Sequence, residues 1–323
     1  MRKQNFSLKS TDKLGKSISG FSFNLIRYFL LFIIGYVVLY PFLYMLSTSL
    51  KDDKSLLDVS LLWVPKYITT SRLKDAFEYL NFFDALKQTL SVHMVSALIE
   101  VFVCAVVAYG FARFNFRGKK LAMAILILSL LIPISMYSMS LSVNYRQLDI
   151  LGIFGFLNKL TGIDLRLNIY NTNWTFWLPS LFGVGIRSGM LIYIYIQFFT
   201  GLPSELEDAA YVDGAGPIRT FLSIALPSSG VVLVTATVLS IVWHWNEISL
   251  TSLCFLNDDW PLSVAINSII TILQQKGIWL GSAPEAASLI FAACLIYIAI
   301  PLFLYLILQR KFVKSIDRVG ITG

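Results

Sequence analysis

Charge is what this 323-residue chain is short of. Its 26 Lys and Arg and 19 Asp and Glu amount to 14% of residues, against 56% hydrophobic, and mean hydropathy is +0.70. That balance excludes an ordinary soluble domain. Cysteine is scarce as well. Cys104, Cys254 and Cys294 all lie in or at the ends of apolar runs, which argues against a disulfide framework or a metal site and predicts small buried hydrophobes. No G-x-x-x-x-G-K-[ST] phosphate loop occurs, so any ATP that drives this protein must be bound by another chain. Internal repeats and low-complexity linkers are also missing. The first twenty residues are polar and basic with no apolar core or cleavage site, so no signal peptide is expected.

What is present is long apolar sequence. Six runs of spanning length, about 24–48, 86–112, 120–142, 176–199, 228–256 and 287–309, predict an all-α membrane protein with six transmembrane helices. Pro41, Pro133 and Pro301 fall inside three of the runs, where prolines usually mark kinks. The expected organisation is a mobile basic tail over 1–21, a first helix and external loop over 22–85, a core of helices two to six over 86–309, and a second tail over 310–323. The two ends and the short connections carry 15 Lys and Arg, the longer opposite loops 10. Short loops decide orientation, so both termini are expected inside. The net charge of +7 then reflects topology, and no nucleic acid partner is implied.

The external loops, about 49–85, 143–175 and 257–286, are long. Trp63, Trp174, Trp177, Trp260 and Trp279 in or beside them suit interfacial anchoring, with an extracytoplasmic docking surface as the alternative. Gly152, Gly155 and Gly162 space short apolar runs and predict a small re-entrant or interfacial helix.

One stretch between two apolar runs is acidic: PSELEDAAYVDGAGPIRTFLSIALP, residues 203–227. Ser204 with Glu207 three residues on reads as a capping box opening a helix over 205–212. Gly214 and Gly216 permit a sharp bend. Pro217 suits the first turn of a second helix over 217–225, and Pro227 stops that helix.

This stretch resembles the coupling loop of binding-protein-dependent ABC importer permeases. Asp208-Ala209-Ala210, Gly214, Ile224 and Leu226-Pro227 keep that loop's spacing, with Asp where Glu is usual at 208. Asp213-Gly214-Ala215, Trp245-Asn246-Glu247 and Gln309-Arg310-Lys311-Phe312-Val313 narrow the likeness to the carbohydrate, maltose-permease-like branch. The resemblance implies a type I importer permease fold in the bacterial cytoplasmic (inner) membrane. It implies four kinds of partner: a second homologous permease, two ATP-binding cassette ATPases, an extracytoplasmic solute-binding protein and membrane lipid. The chain would itself be no enzyme and hold no cofactor, with Mg-ATP on the ATPase. Glu205, Glu207, Asp208, Ala209, Ala210, Asp213, Gly214, Ala215 and Gly216 would dock on that ATPase. Ser315 and Thr322 depart from the family's C-terminal pattern. Two alternatives are a permease for peptides or amino acids and, from another class, a proton-coupled carrier built on Glu100.

Ionisable groups within a span are functional candidates. Glu100 and Arg187 each lie twelve residues from the inner end of their runs, ~18 Å up. That equal depth suggests an ion pair; the alternative is that Arg187 snorkels or faces a wet cavity. Trp245, Asn246 and Glu247 pair a stacking ring with hydrogen-bonding groups, as saccharide sites do, although interhelical packing explains them equally well. With Glu100 and Arg187 they form the candidate translocation path. His244 reads as a neutral packed histidine rather than a proton relay.

Orientation is open to direct labelling. With Ser60→Cys, an impermeant maleimide added from outside should react, whereas with Ser204→Cys it should react only after permeabilisation. The reverse pattern would overturn the charge count.

Overall fold

The computed structural model describes the backbone of residues 9–319 apart from 59, 62, 150, 151, 165 and 257–259, with side chains from 23 to 307 and at 309. Among the described residues the structure is helical, with only two isolated β-bridges, Lys51 to Ile68 and Leu148 to Leu167. Two compact units emerge: Met1–Lys74 with Leu280–Leu295, and Asp75–Trp279 with Ile296–Gly323.

In the first unit, α1 runs Lys9–Ser49, with Pro41 inside it. The backbone from Lys9 onward is helical within the tail expected over 1–21; residues 1–8 lie outside the described set. Tyr36, Tyr40 and Tyr44, four apart on one face, form a ladder closed by the Trp63 ring, 5.0 Å from Tyr40. Tyr44 also meets Phe291 edge-on, and Ser288 Oγ–H donates to Thr48 O at 3.0 Å.

The second unit is built on α2, Phe82–Arg113, 32 residues with one π-helical turn at Leu90–Met94. Around it stand α3 (Lys119–Leu131), α4 (Ser138–Arg146), α5 (Trp174–Leu181), α6 (Ser188–Gly201), α7 (Glu205–Val212), α8 (Pro217–Ser228), α9 (Gly230–Trp245) and α10 (Ser249–Cys254). The last helix, α11, is Ala283–Val319; side chains beyond 309, including Ser315, lie outside the described residues, as does Thr322. Val101, Cys104, Ala105 and Ala108 recur at helical spacing on one buried face of α2. Small side chains there let Leu191, Tyr195 and Phe199 of α6 and Ala236 of α9 pack close.

Three of the six apolar runs are not single helices. α3 ends at Leu131 because Ile132, preceding Pro133, is forced into extended backbone. Run 176–199 breaks between α5 and α6, with Gly183 and Arg187 in the left-handed region. Run 228–256 breaks after α9 at Asn246. α8 meets α9 at 81°. Among the described residues, three helices are long and apolar enough to cross a membrane alone (Phe23–Ser49, Phe82–Arg113, Ala283–Ile307), four if the bent pair counts as one. Broken helices are tolerated at membrane depth where protein or a wet cavity satisfies the freed backbone. The short helix expected between 143 and 175 is present as Ile153–Thr161, bounded by Gly152 and Gly162 at positive φ and capped by Asp149, which accepts from the Phe154 and Gly155 N–H groups.

The breaks surround one buried polar junction. Glu100 of α2 is wholly buried. Ser188 Oγ–H of α6 donates to its Oε1, while His244 Nε2 of α9 contacts Oε2 at 2.6 Å and Ser240 Oγ at 3.4 Å. His93, the chain's other histidine, lies 6.1 Å from the His244 ring. A Cβ at Gly185 would come within 2.8 Å of Ser180 Oγ and 3.0 Å of Glu100 Oε1, so the α5–α6 turn needs glycine to approach the carboxyl.

The expected pair between Glu100 and Arg187 does not form. Arg187 precedes the helix with left-handed backbone (φ 56°), and it lies exposed while Ser188 faces Glu100. The equal-depth argument located both residues along the bundle axis and said nothing of azimuth. Removing one partner of a buried hydrogen bond, so that the other is left unsatisfied, typically costs ~1–3 kcal/mol. Glu100→Gln or His244→Gln should lower the melting temperature of the detergent-solubilised transporter, the double variant should recover part of the loss, and Arg187→Gln should leave it unchanged. Additive single effects in this double-mutant cycle would deny the coupling.

Candidate functional site

Helix α7 begins where Leu202 and Pro203 end α6. The capping box expected from Ser204 and Glu207 is absent: Ser204 has helical dihedrals and no side-chain cap, and its carbonyl accepts from the Glu207 and Asp208 N–H groups, each at 2.9 Å. Glu207 is instead buried and turned inward. It accepts from Tyr109 Oη–H at 3.0 Å and from Arg113 Nε at 2.9 Å, and Arg113 Nη2 donates to Leu202 O at 2.8 Å. Tertiary partners of full charge outcompete the local backbone N–H, because a charge-assisted bond is about twice as strong as a neutral one. The loop is thereby stapled to the last turn of α2.

The far end of α7 follows local rules. The Gly214 N–H bonds Tyr211 O at 3.0 Å and the Ala215 N–H bonds Ala210 O at 2.9 Å. This pair of bonds closes a helix when a residue just beyond it takes left-handed dihedrals, which Gly214 does at φ +81°. Gly216 is extended, and Pro217 is the first residue of α8. That helix continues to Ser228, three residues past the expected end at 225 and one past Pro227.

With Glu207 inward, Glu205, Asp208, Ala209, Asp213, Gly214 and Gly216 remain exposed, and Ala210 and Ala215 are half-buried. Apolar side chains accompany the acids outward: Val212 is 88% and Ile218 76% exposed. A surface that mixes fixed acids with bare aliphatic groups has the make-up of a docking face.

The sequence-derived translocation set separates. Trp245 is 1% exposed, with its ring 5.2 Å from Tyr297, whose hydroxyl donates to Trp245 O at 2.6 Å. Glu247 is buried and accepts from the Leu250 N–H at 2.8 Å, capping α10. Both are packing and capping residues here, and Glu100 belongs to the buried junction. Arg187 and Asn246 are exposed, the Asn246 amide donating to Val242 O at 2.9 Å.

Trp243, outside that set, is half-buried and carries the Arg187 guanidinium 5.3 Å from its ring centroid. The signal for it was present: residues 243 and 245 lie about 200° apart around a helix, so burying one presents the other. Tyr109 and Arg113, the staple of the acidic loop, had no comparable signal, since they stand 98 and 94 residues from Glu207.

Known proteins are similar to this chain. The trehalose transport system permease protein SugB of Mycobacterium tuberculosis (strain CDC 1551 / Oshkosh) is 28% identical over 296 residues, 90% of this chain and 94% of that protein. The polygalacturonan/rhamnogalacturonan transport system permease protein YtcP of Bacillus subtilis (strain 168) is 24% identical over 304 residues, 91% and 96% of the two chains. A solved structure titled as a bacterial ABC transporter involved in the import of the acidic polysaccharide alginate superposes with a TM-score of 0.66 at 17% identity, covering 91% of this chain and 98% of that one. Residues 102–318, more than half of the chain, match the family described as binding-protein-dependent transport system inner membrane component, and the chain belongs to that family as a multi-pass inner membrane permease subunit.

Proposed function

We propose that this permease subunit imports sugars or oligosaccharides, forming one half of a pathway completed by a second, homologous permease. The family works with ATPase and solute-binding partners; two ATPase copies holding Mg-ATP and one extracytoplasmic binding protein fit this chain, which carries no phosphate loop. The carbohydrate assignment draws on the relatives named for trehalose and for polygalacturonan and rhamnogalacturonan. The observation that carries the ATP-driven mechanism is the exposed acidic-aliphatic face of α7, closed by Gly214 and stapled through Glu207.

Force from the ATPase would enter at Glu205, Asp208 and Val212, with Ala209 and Ala210 allowing close approach. Glu207 and Arg113 would pass it to α2. From Arg113 to Glu100 that helix is an unbroken lever ~20 Å long, and at its upper end the junction grips α6 and α9. Movement at the loop would thus rotate three helices together and alternate the access of the cavity. A proton-coupled carrier finds less support: its candidate acid, Glu100, is fully enclosed by donors from α6 and α9.

Vesicle uptake tests the assignment. Import should require ATP, the cognate ATPase and the binding protein; uptake by this chain alone under a pH gradient would reject it. In the same assay Gly214→Val should abolish uptake and ATPase co-purification while leaving the membrane helices intact by cysteine labelling. No atom lies within 4 Å of a Cβ at that position, so the defect would come from φ +81°, which β-branched residues resist.

The staple makes a separate prediction. Arg113→Gln leaves the Glu207 carboxylate without its cation, and breaking such a pair costs ~3–5 kcal/mol when buried. The ATPase should still co-purify, since the docking face is untouched, but sugar uptake per ATP hydrolysed should fall severalfold. Tyr109→Phe, losing one neutral donor worth ~1 kcal/mol, should have a smaller effect. An unchanged ratio of uptake to hydrolysis in Arg113→Gln would remove the staple from the force path.

A further inference from the structure

Arg187 is a cation that no acid among the described residues touches; Glu247 acts on it only across a longer distance. Among the described residues its guanidinium makes no ion pair and no hydrogen bond; it rests only on the Trp243 indole, at 5.3 Å. The two acids on adjoining elements are engaged elsewhere: Glu100 with Ser188, Ser240 and His244, and Glu247 with the Leu250 N–H. Arg187 also occupies the residue that opens α6, with φ 56°. A helix begins with a partial positive charge, so acids are favoured there and a cation adds to a field of its own sign. The 14 residues of α6 place it ~21 Å from the Gly201 end, well inside the apolar zone. An arginine there is costly unless it faces water or an anion.

We infer that Arg187, Trp243 and Asn246 form a subsite for an acidic sugar unit, with the Arg187 guanidinium receiving a uronate carboxylate as the chain passes. The inference rests on the carbohydrate reading and narrows it. Cation–π attraction to Trp243 holds the guanidinium plane, which leaves its N–H fork open for a bidentate carboxylate. Asn246 stands three residues on from Trp243, hence on the same side of the helical path, exposed and with an amide able to meet sugar hydroxyls. The indole offers an apolar surface for the sugar ring. None of these roles needs Trp245, which is enclosed.

The test uses the complete transporter, both permeases with ATPase and binding protein, in proteoliposomes. Uptake of trigalacturonate is compared with that of its carboxyl-reduced, neutral counterpart. Arg187→Gln should lower ATP-dependent trigalacturonate uptake about tenfold or more, the scale of one charge-assisted bidentate contact, and leave the neutral sugar nearly unchanged. Arg187→Lys, a point charge without the fork, should fall between, and it also serves if the neutral variant assembles poorly. Trp243→Ala should weaken uptake of both sugars. Equal losses for both sugars in Arg187→Gln, together with less assembled complex, would mean that an acid of the second permease is the true partner and would overturn the subsite. Import of the neutral sugar alone by the unmodified transporter would overturn it too, while sparing the carbohydrate reading. Import of neither sugar by the unmodified transporter would likewise overturn the subsite and leave the carbohydrate reading standing.

Discussion

A carboxylate cannot remain charged in a low-dielectric bundle unless other groups pay in hydrogen bonds what water gave up, and two such carboxylates organise the larger unit. Glu100 collects donors from α6 and α9, and Glu207 takes a phenol and a guanidinium from the end of α2. Each satisfies the demand only when helices distant in sequence stand in one arrangement. The penalty for a missing partner, ~1–3 kcal/mol for a hydrogen bond and ~3–5 kcal/mol for a charged pair, is a sizeable part of the 5–15 kcal/mol that typically holds a folded domain. Apolar packing in lipid is less selective, since neighbouring tails are as hydrophobic as the helices. Polar matching therefore supplies much of the specificity, and the small-residue face of α2 supplies the proximity it needs.

The same two points give the proposed coupling a mechanical form. Between them α2 has no proline and no break, so it can carry displacement with little loss. The adjoining elements are less continuous: α5 and α6 are separated by a turn with two left-handed residues, and α8 and α9 meet at 81°. Bends at membrane depth are where a transporter can change shape without unmaking its helices. Rigid transmission along one helix, with compliance concentrated in its neighbours, is a workable division for alternating access.

The polar inventory inside the bundle also sorts by role. Polar groups that meet in the core, Glu100 with His244 and Glu207 with Arg113, hold distant helices together. Arg187 sits apart on the Trp243 face, where the proposed acidic-sugar subsite would use its charge. The aromatic residue next in line, Trp245, serves assembly, which separates two tryptophans that look alike in sequence.

The sequence alone was enough for several features that depend on neighbours a few residues apart. The acidic helix 205–212, the left-handed turn at Gly214, the start at Pro217 and the short helix beyond Gly152 all rest on local backbone chemistry, and all are found. Hydropathy likewise located the apolar runs, because burial in lipid is a property of composition. Tertiary structure decided that runs 176–199 and 228–256 break and which way each polar side chain turns. Glu207 abandons a capping box for partners more than ninety residues away, and Glu100 takes His244, 144 residues on, in place of the arginine at its own depth. Distance along a helix can be read from residue number. Azimuth and partnership cannot, because they are set by which helices pack together and by the cost of leaving a buried charge unmatched.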